Sequence, residues 1–527
     1  MKSLRNCLPF WDYWLEDNPH IESRDYVLQL ISEGIPIGYD GPTFELISDN
    51  WKSALEHSAD VQKFIDKNIK KGSVVGPLQS LPPGYRASPL GAFKKKSSSK
   101  IRVIHDLSWP PGKSINDYIS GKDCALVYTT VDHAADLCEF YNEPWLIKID
   151  LEAAFLSCMV RTQDRHLLGF TWKDDRGTTQ YYTMAALSFG LRSSPKMFNV
   201  IAAALQFIMV ARGVPYTITR YLDNFLCVCG TYQDAQDALA LMLDTCDRSG
   251  FSVQPSKTQG PSRSLDFLGI NIDTINKQLK LGPDRLDEIR DEVSDWLQRS
   301  ECTKRELLSV IGKLSFCSRV IHYGSMFTRR LIQLSKKARN LHYRLKLTNQ
   351  VKADFKWWHM ALKDHNGISW FKSSWDLRSS EVMFTDASNL AAGAIYNSGW
   401  TVTEFSGKNR WMIQRPIAWR ELYAIVLCLA VFGHQMEYKN ITMYTDNQAV
   451  QCCVNSGTSK DPELMALLRA LYYYVTLHSI RYKAYYVSTH DNGPADSISR
   501  LDYSRFKKLC PEMDQDMTPP VLPVIDF

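Results

Sequence analysis

Between residues 145 and 273, short runs crowded with β-branched and aromatic residues alternate with stretches of helical period. WLIKIDL (145–151), YYTMAAL (181–187), TRYLDNFLCVC (219–229) and LDFLGINID (265–273) read as strands, and 195–212 and 233–249 as helices. Strands and helices mixed in this way predict an α+β sheet with helices on one face. Upstream, FKKKSSSKIRVIHDLSWPPGKSIND predicts a hairpin with a charged tip. Residues 284–346 are mostly helical in pattern. A stretch bearing Trp357, Trp358, Trp370 and Trp375 joins them to a second α/β pattern at about 381–502. The apolar run LYAIVLCLAVFG (422–433) falls short of the roughly 20 residues that span a bilayer, so it predicts a buried helix and no membrane partner. Residues 1–85 are mixed and lead into the turn-rich GPLQSLPPGYRASPLG, an N-terminal extension by this reading. The tail CPEMDQDMTPPVLPVIDF reads as extended.

Composition narrows the class. At 527 residues the chain is too long for one core, and 45% apolar with 23% charged residues is ordinary globular composition. A formal charge of +5 is small for this length, so any argument for a polyanionic partner rests on local clusters. Thirteen cysteines, an odd number without a C-x-x-C pair, suit free thiols in a reducing compartment. The opening MKSLRNCLPFWDYWLEDNPH has no continuous apolar core and carries acids early, unlike a signal peptide. The expectation is an intracellular protein, cytoplasmic or nuclear.

Two acidic constellations carry candidate chemistry. Asp150 ends WLIKID, and Asp223 sits in YLDN, where Asn224 stands in place of a second carboxylate. Alone, Asp-Asn between apolar runs is also a plausible hairpin turn. Two strands presenting aspartates side by side would suit Mg²⁺, a hard cation that takes oxygen ligands. The second set comprises Asp386 in VMFTDAS, Glu421 in WRELYAI, Asp446 in MYTDNQ and Asp496 in NGPADSISR. Four converging carboxylates repel one another unless a metal is bound, which argues against a purely structural role.

The ordered series DLEAAF, LSFGLRSSPKMF, YLDN, SVQPSK and LDFLGINID resembles the palm of a retrotransposon reverse transcriptase, over roughly residues 85–345. That resemblance implies metal ligands at Asp150 and Asp223, an aromatic gate against ribose at Phe155, and nucleotide contacts from Phe189 and Gly190. It also implies a proton donor at Lys257, and primer contacts from Phe267, Leu268 and Gly269. Lys95 and Arg102 in the upstream hairpin would meet the triphosphate, although the lysine run also reads as a solvated tip. Residues 301–346 carry eleven Lys/Arg against Glu301 and Glu306. As a thumb they would lay Arg319, Arg329, Arg330, Lys336 and Lys337 along a duplex.

The second set resembles the RNase H domain of such elements, closest to DIRS-type and Ty3/gypsy-related ones. Tyr486 replaces the histidine usual six residues before the closing Asn492, and His490 lies four residues later. The resemblance implies a right-hand polymerase of fingers, palm and thumb followed by an RNase H-like α/β domain. The expected divisions are 1–85 extension, 86–283 fingers and palm, 284–347 basic thumb, 348–380 connector, 381–502 RNase H-like domain and 503–527 tail. It further implies two Mg²⁺ per site, with Mn²⁺ possible, and as partners dNTPs, an RNA template, a DNA primer and RNA–DNA hybrid. A decayed or domesticated nucleic-acid-binding protein with an inactive polymerase, or a chain in which only the ribonuclease is active, is the alternative that Asn224 keeps open.

Overall fold

The computed structural model describes residues 3–16, 21–94, 101–174, 176–321, 323–364, 366–371, 380–478, 480–513 and 516–523. The chain divides into two compact units, Met1–Lys277 and Gln278–Phe527.

In the first unit a four-stranded sheet runs in the order Gln259–Ser262, Trp145–Asp150, Asn224–Cys229, Ile218–Tyr221. Leu146, Ile147, Ile149 and Phe225 to Cys229 are buried, as the apolar runs predict. Helices Ser194–Ala211 and Tyr232–Ser249 match their expected positions within a residue. Thr231 caps the second helix at its start, and Gly250 ends it at φ +91°, a left-handed conformation that costs glycine nothing. Strands Leu90–Lys94 and Ile101–His105 form the charged hairpin, whose tip, with Lys95, lies outside the described residues.

The boundary expected at residue 85 has no counterpart. Leu4, Trp11, Leu15, Val27, Ile35, Val61, Ile65 and Val74 belong to the same apolar core as Ile147, Phe198 and Phe225. Strands Leu46–Ile47 and Val74–Val75 are the outer members of a five-stranded sheet that also holds Arg86–Ala87, Gly169–Lys173 and Thr179–Met184. The N-terminal residues therefore complete the fingers-and-palm unit. Their short, irregular elements leave no periodicity to read in the sequence.

In the second unit, helices Pro283–Gln298, Lys304–Cys317, Arg329–Lys336 and Asn349–Asp364 precede a five-stranded sheet. Its order is Gly399–Glu404, Ala391–Tyr396, Glu381–Ala387, Asn440–Thr445, Arg481–Tyr486. The first three strands pair antiparallel and the last two join in parallel. Helix Ile417–Phe432 carries the apolar run of 422–433 and is buried along most of its length. Ile417–Met436 and Ser194–Ala211 are long and apolar enough to cross a membrane by composition, but both are core helices here.

Two expectations are corrected. The helix Pro283–Gln298 is acidic, and its Glu288 and Glu292 both receive Lys313, so part of the thumb's positive charge is neutralised within it. The tail is not wholly extended: Tyr503–Leu509 is helical and seats Phe506 against the Trp400 ring at 5.2 Å.

Candidate active sites

The YLDN segment is a hairpin. Asn224 pairs with Tyr221 across the turn, which leaves Leu222 and Asp223 as its two connecting residues. Leu222 takes φ +54°, the left-handed conformation that a two-residue hairpin demands at its first turn position. On the other side Asn224 pairs with Asp150, so these side chains share one face of the sheet. The Leu151 amide donates to the Asp223 carbonyl at 2.9 Å, pinning the turn to the strand that ends in Asp150.

Asp150 is 7% exposed and accepts a hydrogen bond from Lys257 Nζ at 2.7 Å. Lys257 reaches it from the short turn Pro255–Lys257, held in place where the Gln254 amide donates to the Asp150 carbonyl. Burial pushes the Asp223 carboxyl above the usual aspartate range and the Asp150 charge adds to this, while Lys257 and Arg102 pull it back. Arg102 lies 5.6 Å from the centre of the Phe189 ring. Phe189 packs on Phe155 at 5.0 Å, and Phe155 meets Phe198 edge-on at 5.3 Å. The structure thus gathers Asp150, Asp223, Lys257, Arg102, Phe155 and Phe189. Gly190 closes the same region at φ +113°, where a Cβ would run into the His105 carbonyl.

The expected primer contacts divide. Leu268 and Gly269 form the turn of the hairpin Ser264–Phe267/Ile270–Asp273 and reach the surface, whereas Phe267 is fully buried. Of the expected thumb contacts, Lys336 and Lys337 are exposed and Arg319 is half-buried beside Phe316. Arg329 is half-buried as well, its Nε enclosed without a hydrogen-bond partner. Arg330, expected along a duplex, is instead engaged inside the fold: it bonds Asp354 at 3.1 Å, and Asp354 also receives Arg469 at 3.4 Å. Asp354 and Arg469 are 1% and 4% exposed, so this is an internal ion triad. A lone arginine in the apolar helix LMALLRALYYY was the one sequence signal for it.

In the second unit, Asp386 lies on the central strand Glu381–Ala387, Asp446 directly follows Asn440–Thr445, and Glu421 sits early in Ile417–Phe432. Ligand oxygens of these three carboxylates lie within 4.8 Å of one another. The clustering follows from the parallel pairing of Glu381–Phe384 with Ile441–Tyr444, which brings the two strand ends side by side. Burial, then the charges of Asp386 and Asp446, push Glu421 up to about 9. Asp386 is raised to about 6, chiefly by burial, with Ser499 Oγ–H donating to it in partial compensation. Thr489 Oγ1 donates to Asp446 at 2.8 Å, and His490 is exposed beside Asp491.

Asp496 does not complete the cluster in the expected way. One of its oxygens accepts from Arg500 Nε at 2.6 Å and the other from an Arg505 terminal nitrogen at 2.7 Å. Arg500 stands four residues after Asp496, a spacing legible on a helix, but nothing in the sequence pointed to Arg505.

Both sites offer donors that suit a hard divalent cation. Glu421 Oε2 and Asn224 Oδ1 are buried oxygens without a hydrogen-bond partner, and unpaired buried polar atoms are costly unless a ligand takes them up.

Residues 93–272 match the family described as reverse transcriptase (RNA-dependent DNA polymerase). Over that third of its length the chain is similar to reverse transcriptases. Similar curated proteins include the Gag-Pol polyprotein of gibbon ape leukemia virus, 24% identical over 185 residues, or 34% of this chain and 10% of that polyprotein. The Gag-Pol polyprotein of koala retrovirus is 24% identical over 212 residues, 40% of this chain and 11% of its own length. Polyprotein P3 of Commelina yellow mottle virus is 24% identical over 179 residues, 33% and 8% of the two chains. The chain therefore spans about a tenth of the length of these relatives. Among solved structures, the foamy viral protease-reverse transcriptase in complex with RNA/DNA hybrid aligns with a TM-score of 0.51 and 16% identity, covering 91% of this chain and 63% of that one. At that identity the likeness is one of fold, and it extends well beyond residues 93–272.

Proposed function

We propose that this chain is the polymerase and ribonuclease region of a retroelement polyprotein, extending a DNA primer on an RNA template and cleaving the RNA strand of the resulting hybrid. The observation that carries this reading is the presence, in one chain, of two separate carboxylate sites, Asp150 with Asp223 and Asp386 with Glu421 and Asp446, whose oxygens suit divalent cations. The sequence motifs of the second site favour an element of the DIRS or Ty3/gypsy-related type.

Asp150 and Asp223 would hold Mg²⁺ in the palm, and Asp386, Glu421 and Asp446 in the RNase H-like domain, with Mn²⁺ as a possible substitute. When bound, such ions activate the attacking oxygen and neutralise the leaving one. The remaining work falls to this chain's own residues. Arg102 would offer a planar pair of donors to a triphosphate, with the Phe189 ring 5.6 Å from its guanidinium. Phe155, wedged between Phe189 and Phe198, presents a ring that a ribose 2′-hydroxyl would strike, which selects deoxynucleotides. Lys257, already bonded to Asp150, stands where it would give a proton to departing pyrophosphate. Lys336 and Lys337 add a sequence-independent hold on a duplex.

A second reading is supported by one observation: Asn224 brings an amide where a third palm carboxylate would add ligand charge, and its Oδ1 is unpartnered. In that reading only the ribonuclease works. Primer extension on an RNA template with Mg²⁺ or Mn²⁺ separates the two. Extension by the wild-type chain that disappears in Asp150→Ala supports an active polymerase, whereas extension seen only after Asn224→Asp rejects it. Cleavage of a labelled hybrid that persists in Asp446→Asn would overturn the ribonuclease assignment.

A further inference from the structure

Asp496 is held by two cations that reach it from different places. Arg500 lies four residues along, just past the end of the helix Gly493–Ser499 that carries Asp496, and bonds one oxygen at 2.6 Å. Arg505 comes from the next helix, Tyr503–Leu509, and bonds the other oxygen at 2.7 Å. The Asp496 side chain is 6% exposed, while those of Arg500 and Arg505 are 60% and 45% exposed. The carboxylate is thus enclosed and the guanidinia lie at the surface. Arg505 is aimed by its own helix: Asp502 accepts from its backbone amide at 2.9 Å, and Phe506, 1% exposed, anchors the helix on Trp400.

The same carboxylate stands next to the acidic cluster. Its charge acts on Asp386, and the Arg500 charge acts on both Asp386 and Asp446. Yet the three carboxylates that approach within 4.8 Å are Asp386, Glu421 and Asp446, and Asp496 is not among them. With both of its oxygens committed to guanidinium donors, Asp496 has its best lone pairs occupied. Charge-assisted bonds of this kind are the strong ones, and a cation that recruits Asp496 must first displace at least one of them.

We propose that Arg505, together with Arg500, is a positioning clamp that withholds Asp496 from the metal cluster, so that divalent-metal binding and docking of the Tyr503–Leu509 helix compete for one carboxylate. The inference rests on the ribonuclease reading of this site and adds a control element to it. Three carboxylates form the standing metal site, and the fourth is released when Arg505 lets go. A phosphate of the bound nucleic acid is the chemistry that would draw these exposed guanidinia away, since arginine pairs with phosphate as readily as with carboxylate. Metal occupancy and substrate binding then reinforce each other through Asp496.

The test uses the full chain with metal alone, then with a non-cleavable hybrid. Mg²⁺ and Mn²⁺ binding is measured by titration calorimetry on the wild type, Arg505→Gln, Arg505→Lys and Phe506→Ala. Asp386→Asn in each background identifies the heat that belongs to this site rather than to the palm. The clamp requires Arg505→Gln to tighten metal binding about fivefold, the share of a charged hydrogen bond left after solvent screening. Arg505→Lys should restore wild-type affinity, and Phe506→Ala, which undocks the helix, should move in the same direction as Arg505→Gln. Hybrid affinity, read by fluorescence anisotropy without metal, should fall in Arg505→Gln, an effect that loss of packing alone does not couple to tighter metal binding. Equal or weaker metal affinity in Arg505→Gln overturns the clamp while leaving the ribonuclease reading intact. No Asp386-dependent heat in any background overturns both.

Discussion

Asn224 stands directly opposite Asp150 in the palm sheet, on the same face, with its side-chain oxygen buried and without a hydrogen-bond partner. The amide stands beside Asp150, a metal ligand in the proposed function, but brings no charge to it. Asn224→Asp adds that charge. We expect primer extension to quicken by about tenfold, corresponding to roughly 1.4 kcal/mol, and the Mg²⁺ concentration for half-maximal rate to fall. Steady-state extension across a Mg²⁺ series checks this, and a slower variant with unchanged metal dependence contradicts it.

The RNase H-like cluster makes the metal-free fold sensitive to pH. Glu421 titrates near 9 in the folded chain against about 4.5 when unfolded, so between those values the folded state binds the extra proton. Stability of the metal-free protein therefore declines as pH rises from about 4.5 to 9. Glu421→Gln, which cannot lose a proton, should flatten that decline. Thermal melts in EDTA across this range compare the two chains, and parallel curves would refute the assignment.

Asp354 receives both Arg330 and Arg469, and burial still raises it to about 6. Desolvation thus outweighs what the two arginines return. Asp354→Ala strands Arg469 in the interior, and we expect a loss of about 3–5 kcal/mol. Replacing all three residues with apolar ones of similar size should cost much less. Urea unfolding of the single and triple variants decides the matter, and a near-neutral Asp354→Ala would show the triad to be energetically idle.

Trp11 is fully buried, donates Nε1 to the Ser249 carbonyl at 2.9 Å and meets Phe251 edge-on at 6.4 Å. Trp11→Ala should destabilise the first unit by about 3–5 kcal/mol. A chain beginning at residue 86 should fail to give a cooperative melt for that unit. A truncated chain that melts like the intact one would restore the N-terminal residues to the status of an appendage.

The sequence by itself marked the strands Trp145–Asp150 and Asn224–Cys229, the helices Ser194–Ala211 and Tyr232–Ser249 and the buried helix Ile417–Phe432, but not the edge strand Gln259–Ser262 of the palm sheet. Each of those segments buries one continuous apolar run or face, and that pattern is written in consecutive residues. The YLDN turn was legible for the same reason, because a two-residue hairpin is a local object. Asp150, Asp386 and Asp446 were legible through their place at strand ends, and Glu421 through its place early in an apolar helix. The tertiary structure alone decided which charges are free to act. Lys336 and Lys337 remain at the surface, but Arg330 is drawn into an internal triad by Asp354, 24 residues away, and Asp496 is taken by Arg505 from a helix expected to be extended tail. It alone decided that residues 1–85 share the palm's core, through contacts such as Trp11 with Ser249 that span 238 positions. An ion pair or a buried ring lowers free energy only when its partner arrives, and nothing in the local pattern records which distant partner the folded chain supplies.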